Sequence, residues 1–109
     1  MKLHPTPFRM IKNGEKTFEL RLLDEKRKKI KKNDIIIFTN TESGETITAS
    51  VLALHYFNNF EELYNSLPLL KCGYSVLDID TAKPSDMEAF YSKDEQKQYG
   101  VVGIEIAVE

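Results

Sequence analysis

The informative order in this chain is the spacing of its apolar residues. Thr17-Phe18-Glu19-Leu20-Arg21-Leu22 alternates strictly. This predicts a strand with Phe18, Leu20 and Leu22 toward a core and Thr17, Glu19 and Arg21 on the opposite, non-core face. Upstream, Thr6 and Pro7 are suited to start a short helix, with Phe8 and Ile11 inward and Gly14 as its left-handed stop. Asn33-Asp34 is a turn signal before Ile35-Ile36-Ile37-Phe38, an apolar run that reads as a strand buried on both faces. The loop Thr41-Glu42-Ser43-Gly44 returns the chain into a strand from Thr46 to Leu54. Phe60, Leu63 and Leu67 form one stripe of a short helix that Pro68 ends. Ser85 to Glu88 and Ser92 to Glu95 both carry capping-box spacing, so one bent or two short helices run to Tyr99, with Gly100 as the stop. A β-branched segment, Val101 to Val108, predicts the last strand.

This order of elements predicts one α+β domain over residues 1–109. It has too few strands for two packed sheets, so the expected packing is a small twisted β-barrel with short helices at its rim. The length allows one core, and an apolar fraction of 41% with 29% charged residues excludes intrinsic disorder. No apolar run approaches the ~20 residues of a membrane span. One cysteine, Cys72, and an N-terminus without an apolar leader point to a cytoplasmic protein. His4 and His55 have no partner at metal-ligand spacing, so neither metal nor cofactor is expected.

Charge changes the picture. The net value of −2 hides ten basic against four acidic residues between Arg9 and Lys32, a surplus of +6. From Asn33 onward thirteen acids face four lysines, or −9. Lys26-Arg27-Lys28-Lys29, with Lys31 and Lys32, form a basic loop that reads either as a contact to a nucleic-acid backbone or as a solvated segment. Lys16, Thr17, Glu19 and Arg21 set an ammonium, a hydroxyl, a carboxylate and a guanidinium on one patch. The planar fork of Arg21 suits a phosphate, and the alternative is a surface ion-pair ladder. Tyr74, beside Gly73, and Tyr56-Phe57 offer stacking faces for bases, with Phe57 read as core.

Gly14-x-Lys16-x-x-Glu19-x-Arg21, followed by Asp24, Lys26-Arg27 and Asp34, resembles the ASCH domain family. The ending Tyr91-Ser92, Glu95 and Tyr99-Gly100-Val101-Val102-Gly103-Ile104 is similar to the close of bacterial members. The resemblance covers nearly the whole chain and implies a PUA-like fold with a cleft that binds RNA or a modified nucleoside. The ligand-binding residues would be Lys16, Thr17, Glu19, Arg21, Lys26, Arg27, Lys28, Lys29 and Tyr74. It also implies a second function, a small hydrolase at the same cleft, either an amidohydrolase on acylated cytidine or a ribonuclease. There the catalytic residues would be Lys16 as charge stabiliser and Glu19 as proton carrier. The amidohydrolase branch has threonine where this chain has Glu19, and its later glutamate would fall near Glu61 or Glu62.

Overall fold

The computed structural model describes residues 1–109. Five strands form one sheet: β1 (Lys2–Leu3), β2 (Phe18–Leu22), β3 (Ile35–Asn40), β4 (Thr46–Phe57) and β5 (Val101–Val108), in the order β1-β3-β4-β5-β2. All pairings are antiparallel except β1 with β3. Three short helices accompany them: α1 (Pro5–Lys12), α2 (Phe60–Ser66) and α3 (Lys93–Tyr99). The sheet curls until its two edge strands approach each other, and Arg21 Nη2 on β2 donates to the Lys2 carbonyl on β1 at 3.0 Å. The result is the expected small, twisted α+β barrel with short helices, formed as a half-barrel whose seam lies between β1 and β2.

Two apolar clusters flank the sheet. Inside the curl, Phe8 and Ile11 of α1 meet Ile36, Phe38, Val51, Val102 and Ile104. On the convex side, Phe60, Leu63 and Tyr64 of α2 meet Phe18, Leu20, Leu22 and Val101. Strands β5 and β2 are therefore covered on both faces. β3 is not: Ile35 and Ile37 remain 53% and 56% exposed, so the two-faced burial expected for the isoleucine run does not hold. Its neighbour β1 is only two residues long, and no helix covers its outer side.

Local chemistry accounts for most ends. Helix α1 starts at Pro5 rather than Pro7, because Met1 to Leu3 are drawn into the sheet and His4 becomes the flanking residue. Asn33, at φ +76°, makes the turn into β3. Ser92 and Glu95 form the expected capping box, whereas Lys83 and Asp86, not Ser85 and Glu88, begin the turn Pro84–Ala89. β4 continues past Leu54 to Phe57, with a bulge between Val51 and Ala53 that helps the sheet curl.

Gly103 on β5 lets the end of α2 reach the sheet: a Cβ there would lie 2.5 Å from Leu67 Cδ1. Gly103→Ala is expected to destabilise the fold by about 1–3 kcal/mol through overpacking, read as a lower urea midpoint. An unchanged midpoint would mean that Leu67 repacks freely.

Candidate functional site: a buried ion network under a cavity at the seam

Register decides where the polar residues of β2 go. Glu19 is paired with Ile104 and Arg21 with Val102. Their side chains therefore share the face of those core residues inside the curl, while Phe18, Leu20 and Leu22 face α2. The alternation is as the sequence predicts, but its polar face is not a solvent face. Glu19 is 3% exposed and Lys16 9%.

Lys16 Nζ lies 2.8 Å from Glu19 Oε1, and Arg21 Nε donates to Glu19 Oε2 at 2.8 Å. Each carboxylate oxygen thus accepts a charged donor. Burial pushes the Glu19 carboxyl up, but Lys16 and Arg21 outweigh it and hold the group below the usual carboxylate range. Burial acts downward on Arg21, and Glu19 reverses the sign, with Tyr91 adding to the rise. The stem of Lys16 runs over Gly73: a Cβ built there would sit 3.6 Å from Lys16 Cδ, and the residue holds φ +114°. A side chain at 73 would be strained and would press on the lysine.

Above this network is a cavity of about 500 Å³ at the seam. Lys16 lines it just before β2, Glu19 and Arg21 from β2, and Lys2, Leu3, Thr6, Pro7 and Met10 from β1 and α1. Its third wall is Cys72 to Tyr74 with Asp86, Met87, Phe90 and Tyr91. Tyr74 Oη donates to Asp86 Oδ2 at 2.7 Å and lies 2.7 Å from Tyr64 Oη. The expected loop tyrosine is thus a fixed, half-buried wall. Burial pushes the Cys72 thiol up to about 11, which leaves it an inert liner at neutral pH.

Lys16, Glu19, Arg21 and Tyr74 come together in this cavity; the other candidates do not. Thr17 is outside it, its N–H donating to the Lys71 carbonyl at 2.8 Å. Lys26, Arg27, Lys28 and Lys29 do not line it either. Arg27 Nη1 turns back to Asp24 at 3.2 Å and Lys28 to Glu25 at 3.4 Å, while Lys26, Lys29, Lys31 and Lys32 carry no ion pair. Burial, and after it the charges of Arg21, Lys26 and Arg27, depress the Met1 amine. Glu61 and Glu62 open onto a separate, larger groove of about 970 Å³ beside α3. That groove lacks a buried charge, and its glutamates cannot complete a site around Lys16. The residue that sequence reasoning misses is Asp86, whose spacing signals only a capping pattern.

No group of three or more His, Cys, Asp or Glu residues is placed to hold a metal ion. No helix is long and apolar enough to cross a membrane.

Two solved structures share this architecture along the full chain. The crystal structure of hypothetical protein PH0355 is 31% identical, with a TM-score of 0.79 and complete coverage of both chains. The solution NMR structure of protein PF0455 from Pyrococcus furiosus is 30% identical, with a TM-score of 0.71, covering 99% of this chain and 97% of that one. No curated protein matches. The family model of the ASCH domain matches residues 1–109. With the half-barrel and the seam cavity of the PUA-like fold in place beneath that match, the chain belongs to the ASCH domain family.

Proposed function

We propose that this protein binds a nucleoside, free or as an unstacked residue of RNA, in the cavity at the sheet seam. The observation that carries the reading is the buried Lys16–Glu19–Arg21 network beneath an aromatic-walled cavity of about 500 Å³. That volume lies within the range of small-molecule sites, roughly 300–1,000 Å³. An ammonium has three N–H donors and a guanidinium five. Glu19 takes one from each, and the Lys2 carbonyl takes a second from Arg21. The remainder suit the carbonyl, ring-nitrogen or phosphate acceptors of a nucleotide, and Tyr74, Phe90 and Tyr91 supply ring faces for its base. Membership of the ASCH family supports the same ligand class.

The lysines of the basic loop are then an outer surface for RNA rather than part of the cavity. Replacing Lys28, Lys29, Lys31 and Lys32 with glutamine is expected to weaken single-stranded RNA binding regardless of sequence. The salt dependence should flatten by about one unit of slope for each phosphate no longer neutralised, with affinity for a free nucleoside unchanged. Fluorescence titration at several salt concentrations measures both. An unchanged RNA slope would remove the loop from the interface, and a protein that takes up neither RNA nor nucleoside would overturn the binding function.

Hydrolysis in the same cavity, on acylated cytidine or RNA, is the second reading, and it draws on the nucleoside-sized volume around Lys16. Glu19 argues for the binder. A carboxylate held below its ordinary range, with both oxygens engaged, is a poor proton carrier near neutral pH. Turnover of acylated cytidine that disappears in Glu19→Gln, with binding retained, would reverse that order.

A further inference from the structure

The cavity has two poles. Lys16 and Arg21 offer donors, and across the lining only one residue offers an unengaged anionic acceptor, Asp86. Its Oδ2 accepts from Tyr74 Oη at 2.7 Å and from the Lys83 N–H at 3.2 Å. Since the proton of Tyr74 goes to Asp86, the Tyr64 hydroxyl, 2.7 Å away, donates to Tyr74. The two rings meet edge to face, with centroids 5.8 Å apart. This relay saturates one oxygen of Asp86 and fixes the plane of the carboxyl. Oδ1 has no partner within the protein.

We propose that Asp86 is the specificity-determining residue of the cavity. It accepts an N–H from the base of the ligand, while Lys16 and Arg21 donate to acceptor atoms elsewhere on the nucleoside. The inference rests on the nucleoside reading above and names the ligand class within it: a base with an N–H donor on the edge that meets Asp86. The setting favours a base over a sugar at this point. Asp86 stands among Tyr74, Met87, Phe90 and Tyr91, which present flat and apolar surfaces that fit a ring. Its bond from Tyr74, and then that from Lys83, keep its carboxyl below the ordinary value, so at neutral pH it can only accept. A ligand edge made only of acceptors would put a lone pair against Oδ1, a repulsive contact that disfavours it relative to a donor edge.

The test is a thermodynamic cycle between the ligand N–H and Asp86. Uridine is compared with 3-methyluridine, and cytidine with N4,N4-dimethylcytidine, in the parent, Asp86→Asn and Tyr74→Phe proteins, by calorimetric titration. In the parent, methylation of whichever base binds is expected to weaken it by about tenfold or more, the usual weight of a hydrogen bond to a charged group. In Asp86→Asn the unmodified base should weaken by a similar factor and the methylation penalty should shrink. Tyr74→Phe, which keeps the ring but releases the carboxyl, should lie between the two. A penalty of the same size in parent and Asp86→Asn would be steric and would overturn the role of Asp86 while leaving the nucleoside site standing. Equal affinity for methylated and unmodified bases in the parent would do the same. Binding of none of the four ligands would overturn the role of Asp86, and titration of the same proteins with single-stranded RNA and purine nucleosides decides whether the binding function falls with it.

Discussion

Glu19→Ala is expected to destabilise the protein by about 3–5 kcal/mol, the usual cost of removing one partner from a buried ion pair. The substitution leaves Lys16 and Arg21 facing each other within the curl, their side chains only 10% and 17% exposed, with no anion between them. Desolvating one charge without a partner is what makes this expensive. The network itself is a different matter, because ion pairs repay their own desolvation poorly. Lys16→Met, Glu19→Leu and Arg21→Met combined should therefore recover most of the stability and none of the ligand binding. Urea unfolding of the parent, single and triple variants measures the first part. A triple variant as unstable as Glu19→Ala would show that the network carries the fold. The depressed Glu19 pKa also sets a sign for acid. A carboxylate whose folded pKa lies below its unfolded value contributes stability that is present above the unfolded pKa and lost as pH falls through the folded one. From the ordinary value of 4.5 downward the parent should lose stability more steeply than Glu19→Gln. Parallel curves for the two proteins would place the acid sensitivity elsewhere.

Arg21→Lys should reduce ligand affinity by at least about tenfold, although it preserves the charge. The guanidinium makes two hydrogen bonds at once, Nε to Glu19 at 2.8 Å and Nη2 to the Lys2 carbonyl at 3.0 Å. A single ammonium cannot span both, and it lacks the planar fork that would grip a phosphate or carbonyl beside them. The second bond ties edge strand β2 to edge strand β1, so the seam should loosen as well. Faster amide exchange at Leu3 and in β2, with exchange in β4 unchanged, would register it. A variant that binds as the parent does would reduce Arg21 to a strut of the seam.

Strand β2 shows best how far the sequence by itself reached. Alternation from Phe18 to Leu22 settles which side chains share a face, because the pleat has a period of two. It does not say what covers each face. The polar face became interior because the sheet curls and α1 packs within it, a consequence of register and twist spread over the whole chain. Local signals elsewhere were equally sound where the chemistry is local: the Ser92–Glu95 capping box, the left-handed Gly14 and Gly100, the Asn33 turn. The family match follows from the same short patterns. Two residues of β1 had no such signal. Lys2 and Leu3 form a strand only because β3 offers them an edge from a distant part of the sequence. The site divides in the same way. Lys16, Glu19 and Arg21 are neighbours in sequence and were legible together. Asp86 and Tyr74 join them only through the path of the chain between α2 and α3, and Glu61 and Glu62 are carried by α2 to the other groove. Spacing reveals chemistry that one element can assemble; a cavity built from four parts of the chain has no period to read, and only the packed structure decides it.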